Sequence, residues 1–209
     1  MEGLYRIYQN IMLFASPKYR NINLDKPIGS PNESPPNMPE KQFTTVLRQN
    51  EYILHSGHNS AGEGVYLLIF MPNSKFIKTK EYRDKLLSKL TVTEPKCHLY
   101  IFSDQELSTH VRKNIRQYKN ISTKMYLFVN FTIEINRGPL CSVHKILSKE
   151  QSESLCQALK TTKMCFPKIY ENDPQIIWIG GEVGDVIEIR SRSYVAGQKV
   201  YYRVVIKKK

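Results

Sequence analysis

The C-terminal stretch GDVIEIRSRSYVAGQKVYYRVVIKKK, Gly184 to Lys209, decides how this chain ends. It alternates like two β-strands joined by a short basic loop, and Ala196-Gly197 supplies the tight bend, where glycine accepts positive φ at little cost. On the second strand Val200, Tyr202, Val204 and Ile206 share one face, and Tyr201, Arg203 and Val205 the other. A strand apolar on both sides is expected to be covered twice, once by its own domain and once by something else. An arginine set into it, Arg203, calls for a carboxylate partner. With no catalytic constellation in sight, the stretch reads as a docking surface.

Upstream the pattern changes twice. Leu4, Ile7, Tyr8, Ile11 and Met12 follow helical spacing, and Ser16-Pro17 ends that helix. Residues 26–40, KPIGSPNESPPNMPE, hold five of the eleven prolines and read as an exposed loop. Then come a continuous apolar run (65–71, VYLLIFM), a helix with Leu86, Leu87 and Leu90 on one side, and a second run (98–102, HLYIF). A helix over 107–118 carrying Arg112, Lys113, Arg116 and Lys119 follows, and then a third run (125–131, MYLFVNF). Strands alternating with helices predict an α/β domain on a parallel sheet. After Gly138-Pro139 the chain changes to a small α+β unit with a mixed sheet, opened by a capping box at Ser148–Gln151. The expected domains are therefore residues 1–137 and 138–209.

Net charge is +12, shared as +7 over the first 137 residues and +5 over the last 72, so a polyanionic neighbour suits the whole chain. Cys97, Cys141, Cys156 and Cys165 form no C-x-x-C pair and are expected as free thiols. No signal peptide or membrane-length apolar run is visible. The protein is expected to be cytosolic, nuclear or packaged in a particle, with no membrane and no small-molecule substrate among its partners.

The catalytic motifs fail on inspection. GGEVG (180–184) is followed by strand-like alternation rather than the helix a phosphate loop requires, so its glycines read as turn residues. Glu94-Pro95-Lys96 supplies the E-x-K half of a metal-dependent nuclease site without a second carboxylate. His55, His58, Cys97 and His98 lack the paired spacing of a zinc site. No metal, cofactor or catalytic residue is assigned. The basic helix has the better claim: Ser108, His110, Arg112 and Lys113 near its start are candidates for approaching phosphates.

HKILS (144–148), FPKI (166–169), DP (173–174), GDVIEI (184–189) and AGQKVYYRVV (196–205) resemble, in order and spacing, the C-terminal domain of the fifth subunit of eukaryotic nuclear RNA polymerases and its archaeal counterpart. YRIYQNIM, VYLLIFMPNSKFIKTKEYRDKLL and HLYIFSDQELSTHVRKNI resemble the N-terminal jaw domain of the eukaryotic form, which the archaeal form lacks. Departures include Cys141-Ser142-Val143-His144 where the family has Val-Pro-x-His, Ser191 for an arginine, Tyr194 for a proline, and Ser108-Thr109 for the threonine-proline that opens the DNA-proximal helix. That drift, with the Lys207–Lys209 tail, is similar to a version encoded by a large cytoplasmic DNA virus; host cytoplasm and virion are then expected, or the nucleus for a cellular protein.

The resemblance implies a non-catalytic structural subunit of a multisubunit DNA-directed RNA polymerase, with catalysis in the two largest subunits. The C-terminal domain would dock on the largest subunit, among other polymerase subunits. The N-terminal domain, similar in fold to restriction nucleases without their active site, would form the lower jaw beside downstream duplex DNA. His144, Pro167, Asp173, Pro174, Arg190, Arg192, Gly197, Tyr202 and Arg203 are then expected to serve the fold and the docking surface, and Ser108, His110, Arg112 and Lys113 the jaw tip. The alternatives are a metal-dependent nuclease of restriction-like fold and a free-standing DNA-binding transcription factor.

Overall fold

The apolar run that begins at Val65 becomes strand β3, Gly64–Phe70, and all seven of its residues are buried. A strand buried on both faces needs cover on both, and two layers of helix supply it. The structure, a computed structural model, describes residues 2–16, 18–24, 39–50, 52–70, 74, 79–93, 96–135, 141–193 and 197–207. The proline-rich loop up to Met38, Pro17, Glu94-Pro95, Gly138-Pro139 and Ala196 lie outside the described residues. The chain forms two compact units, Met1–Ile133 and Glu134–Lys209.

In the first unit, helix α1 (Glu2–Ala15), strand β1 (Asn23–Leu24), helix α2 (Glu40–Asn50) and strand β2 (Tyr52–His58) precede β3. Helix α3 (Lys80–Thr93), strand β4 (Cys97–Ser103), helix α4 (Thr109–Ile115) and strand β5 (Ile121–Leu127) follow it. The sheet runs β1-β2-β3-β4-β5. β3, β4 and β5 are parallel, whereas β1, β2 and β3 are antiparallel, so the sheet is mixed rather than wholly parallel. One face carries Leu54, Tyr66, Leu68, Phe70, Leu99 and Ile101, packed with Leu87, Leu107, Val111 and Ile115. On the other, Phe14 of α1 meets Phe102, Tyr126 and Phe131 at centroid distances of 6.1, 5.6 and 5.3 Å.

Two local expectations need correction, and two elements were not foreseen. The run 125–131 is not one strand: pairing with Cys97–Ser103 uses Ile121–Leu127, and Phe128–Phe131 is a 3-10 turn. That turn buries Phe131, whose carbonyl accepts from Asn10 Nδ2 at 2.7 Å. Helix α4 is shorter than 107–118, because Ser108 caps it at one end and Arg116 at the other. Helix α2 and strand β2 carry too little apolar pattern to be foreseen. Gly57 in β2 is required by crowding, since a Cβ there would collide with the Asn23 carbonyl oxygen of β1.

β2 also buries a histidine. The His55 ring lies 5.7 Å from Tyr8, its Nε2 is 3.3 Å from the Tyr8 hydroxyl, and its Nδ1 has no hydrogen-bond partner among the described residues. Tyr8 packs in turn on Phe43 of α2 at 4.8 Å, so this contact ties both helices to the sheet.

The second unit contains strand β6 (Val143–Ile146), helix α5 (Lys149–Ala158), strand β7 (Lys168–Tyr170), helix α6 (Pro174–Ile179), strand β8 (Val186–Ser193) and strand β9 (Gly197–Ile206). The sheet order is β6-β8-β9-β7, antiparallel except for β7 beside β9. The capping box forms: Ser148 Oγ accepts from Gln151 N at 3.2 Å and Gln151 Oε1 from Ser148 N at 3.0 Å. DPQIIWIGG is a helical turn and a half, opened by Asp173 and Pro174 and closed by Gly180 in the left-handed conformation at φ 87°. The GGEVG segment turns directly into β8, with Asp185 Oδ2 accepting from Glu182 N at 2.8 Å.

Both faces of β9's C-terminal half are covered within the unit, which corrects the expectation of an external second cover there. Val205 packs with Ile187, Ile189, Ile169 and Ile176, while Val204 packs with Val186, Phe166, Leu155 and Cys156.

Burial holds the His55 imidazole down at about 4, against an ordinary value of 6.5. The unfolded chain therefore takes up a proton at this residue before the folded one does. Its stabilising contribution is complete above pH 6.5 and is lost as pH falls towards 4, a total of about 3 kcal/mol. Acid titration followed by circular dichroism should show the first unit losing helix in this window. His55→Phe should flatten the loss between pH 6.5 and 4.

Candidate assembly and nucleic-acid surfaces

The four residues expected at the jaw tip share one short helix but have different occupations. Ser108 is the N-cap, its hydroxyl accepting from Val111 N at 3.4 Å. His110 Nε2 lies 3.3 Å from Asn114 Nδ2. Arg112 folds back: Nε donates to Leu107 O at 2.8 Å and Nη2 to Glu106 Oε2 at 2.9 Å. It braces the loop that enters the helix rather than presenting a bare guanidinium. Lys113 is exposed, as are Arg116 and Lys119 beyond the helix. The cations this segment offers to solvent are those three.

The metal readings do not assemble. Cys97 is buried on the α3 and α4 side of the sheet, and His98, one residue on, points to the other. His98 Nε2 instead donates to Glu63 Oε2 at 2.7 Å, beside Lys96 Nζ at 2.8 Å from Oε1 and Asn59 Nδ2 at 3.0 Å from Oε2. These hydrogen bonds, that of Lys96 foremost, hold the Glu63 carboxyl down at about 2. Lys96 of the E-x-K pattern is thus a clamp on the β2–β3 turn. Among the described residues no three His, Cys, Asp or Glu side chains converge to hold a metal ion.

In the second unit the expected residues sort into three roles. Asp173, Pro174 and Gly197 build turns and caps: Asp173 Oδ1 accepts from Gln175 N at 2.9 Å, Pro174 sits at the first helical position, and Gly197 has φ 68°. Pro167 lends its carbonyl to Val204 N at 2.9 Å, which seats β7 beside β9. His144 donates from Nδ1 to Ser142 O at 2.9 Å and stands opposite Ile189.

The sheet register divides the remainder. Arg190, Arg192 and Tyr202 lie on the α5 side, and Arg203 on the α6 side. Arg203 is half-buried and its Nη1 donates to Lys168 O at 3.3 Å; no carboxylate meets it among the described residues. Arg190 Nε donates to Glu188 Oε1 at 2.6 Å on its own strand. Tyr202 packs against Phe166 at 6.2 Å. The register adds one residue that sequence reasoning passed over, Val143 of β6, which stands beside Arg190; Val200 of β9, already read as part of one strand face, stands on its other side. Both are exposed, at 64% and 44%. The signal was a four-residue edge strand, too short to show alternation.

Residues 133–205 match the family profile described as RNA polymerase Rpb5, C-terminal domain. The DNA-directed RNA polymerase subunit Rpo5 of Pyrococcus horikoshii is 43% identical over 63 residues, which cover 30% of this chain and 77% of that one. The Rpo5 subunits of Archaeoglobus fulgidus and Methanocaldococcus jannaschii are 41% identical over 63 residues and 40% over 65, each alignment covering 83% of the relative. The chain belongs to the Rpb5/Rpo5 family of DNA-directed RNA polymerase subunits.

Trp178, the sole tryptophan, is fully buried in α6 and reports the second unit alone. Asp173→Ala removes the cap of that helix and should cost about 1 kcal/mol. Urea unfolding followed by Trp178 fluorescence should show a lower midpoint, with the helix signal of the first unit unchanged.

Proposed function

We propose that this chain is a non-catalytic structural subunit of a multisubunit DNA-directed RNA polymerase. Its second unit docks on the largest subunit, and its first unit forms the lower jaw beside downstream duplex DNA. The observation that carries this reading is the second unit itself: a β6-β8-β9-β7 sheet with one helix on each face, built from the residues that match the Rpb5 C-terminal domain. Archaeal relatives named Rpo5 match over most of their length. Catalysis belongs to the two largest subunits, and the first unit is an inactive relative of the restriction-nuclease fold. The source is a large cytoplasmic DNA virus, which puts the protein in host cytoplasm and virion.

In the jaw role, Lys113, Arg116 and Lys119 meet phosphates, with Ser108 and Arg112 holding the segment's shape. Such contacts release counterions, so binding weakens as salt rises. Purifying the tagged chain from cells that express it should bring down two very large polypeptides in equal amount, with RNA synthesis in the eluate. A lone chain that cleaves DNA with a divalent metal would instead support the nuclease reading. Tight, salt-sensitive binding by the isolated chain would support a free-standing factor. The subunit reading expects weak binding, with the slope of log affinity against log salt reduced by about one for each of Lys113→Ala and Arg116→Ala.

A further inference from the structure

The helix that covers the α5 face is much shorter than the strands beneath it. α5 has ten residues, a length of about 15 Å. β9 also has ten, a length of about 34 Å. The row Val186–Val204 is sealed by Phe166, Leu155 and Cys156. Two rows on, nothing among the described residues covers the sheet: Val143, Arg190 and Val200 stand side by side across three strands, all exposed. Between these rows lie Lys145, Glu188 and Tyr202, and Arg192 extends the surface beyond them.

We propose that the outer edge of β6 pairs with an extended strand of the largest polymerase subunit that bears apolar and acidic side chains, and that the segment flanking this strand folds over the bare half-sheet. The inference rests on the subunit reading above and names the surface and mode of docking. Three observations support it. First, Leu147 N donates to Val186 O, so in the antiparallel ladder the N–H and C=O groups of Val143 and Lys145 point inward to β8 and those of His144 and Ile146 point outward. No hydrogen bond occupies the outward groups among the described residues. An open edge of this kind is a template for another strand. Second, Val143 on the edge strand and Val200 two strands further in offer apolar area on both sides of Arg190, which suits apolar side chains of a protein segment lying over the face beside the added strand and gives nothing to phosphates. Third, Lys145, Arg190 and Arg192 outnumber Glu188, so the complementary segment is acidic.

The test uses the full chain in the co-purification described above. Val143→Glu with Val200→Glu changes two exposed positions, and His144→Pro removes an outward N–H that β8 does not use. Trp178 fluorescence and the urea midpoint check that each variant is folded. Recovery of the largest subunit should fall about tenfold with either variant, while Val129→Glu, exposed on the first unit, leaves it unchanged. Hydrogen exchange on the assembled complex should show new protection at the His144 and Ile146 amides. Full recovery with folded variants, or no protection at those amides, overturns the proposal and leaves the subunit reading standing. Failure of the unaltered chain to bring down large subunits overturns the subunit reading itself. Cross-links from Val143 or Val200 to duplex DNA, or to a different subunit, overturn the assigned occupant.

Discussion

The second unit is organised by one pair of neighbours, Val204 and Val205. They are adjacent on β9, point to opposite faces, and are 2% and 1% exposed. Each such side chain gains roughly 1.5–3 kcal/mol from burial, but only if both faces are covered at the same level of the strand. That condition calls for two helices of opposite placement in a small unit, Glu134–Lys209. The chain meets it with α5, fixed by the Ser148 capping box, and α6, fixed by Asp173, Pro174 and Gly180. The stops and starts are strict because the helices are short, and helices of six and ten residues are marginal without caps and tertiary packing.

The same logic governs the first unit. β3 is apolar throughout, so helices must lie on both sides of it. α3 and α4 arise from the crossovers that parallel strands need. The opposite face is closed by α1 and α2, held to β2 by Tyr8, Phe43 and His55. This closure is chemically less uniform, since it places a histidine nitrogen and a phenol in a dry environment. Burial, with the nearby Tyr5, drives the Tyr8 phenol upward, and burial drives the imidazole downward. The layer loses stability as the imidazole takes up a proton.

What could be read from the chain alone follows from these constraints. α1 has five apolar residues at helical spacing, β3 and β4 are continuous runs, and the Ser148 box and the β8–β9 alternation are local patterns. β2 was hidden because YILHSGH reads as polar, and the partner of its His55 Nε2 is a residue 47 positions away. α2 was hidden because Phe43 alone anchors its described length in the core. At the basic helix the residue types were visible but their occupations were not: Arg112 spends its donors on Leu107 and Glu106, which leaves Lys113, Arg116 and Lys119 to face an anion. On the terminal hairpin the two-sided pattern was visible. Which rows were covered depended on helix length, which the alternation of the strands does not encode.

The mismatch between helix and strand length has a thermodynamic consequence. Residues that hold the unit together and residues open to a partner sit on the same strands, a few positions apart. Val204 and Val200 share a face of β9, yet one is core and the other is wet. The exposed rows can therefore change without disturbing the rows beneath α5. A strand added along β6 would bind only the folded unit, because the outward groups of His144 and Ile146 have their spacing only in the sheet. Such binding stabilises the fold by an amount that grows with partner concentration. The unit then has its greatest stability when assembled, and the four-residue edge strand gains most, since it has only one neighbour among the described strands.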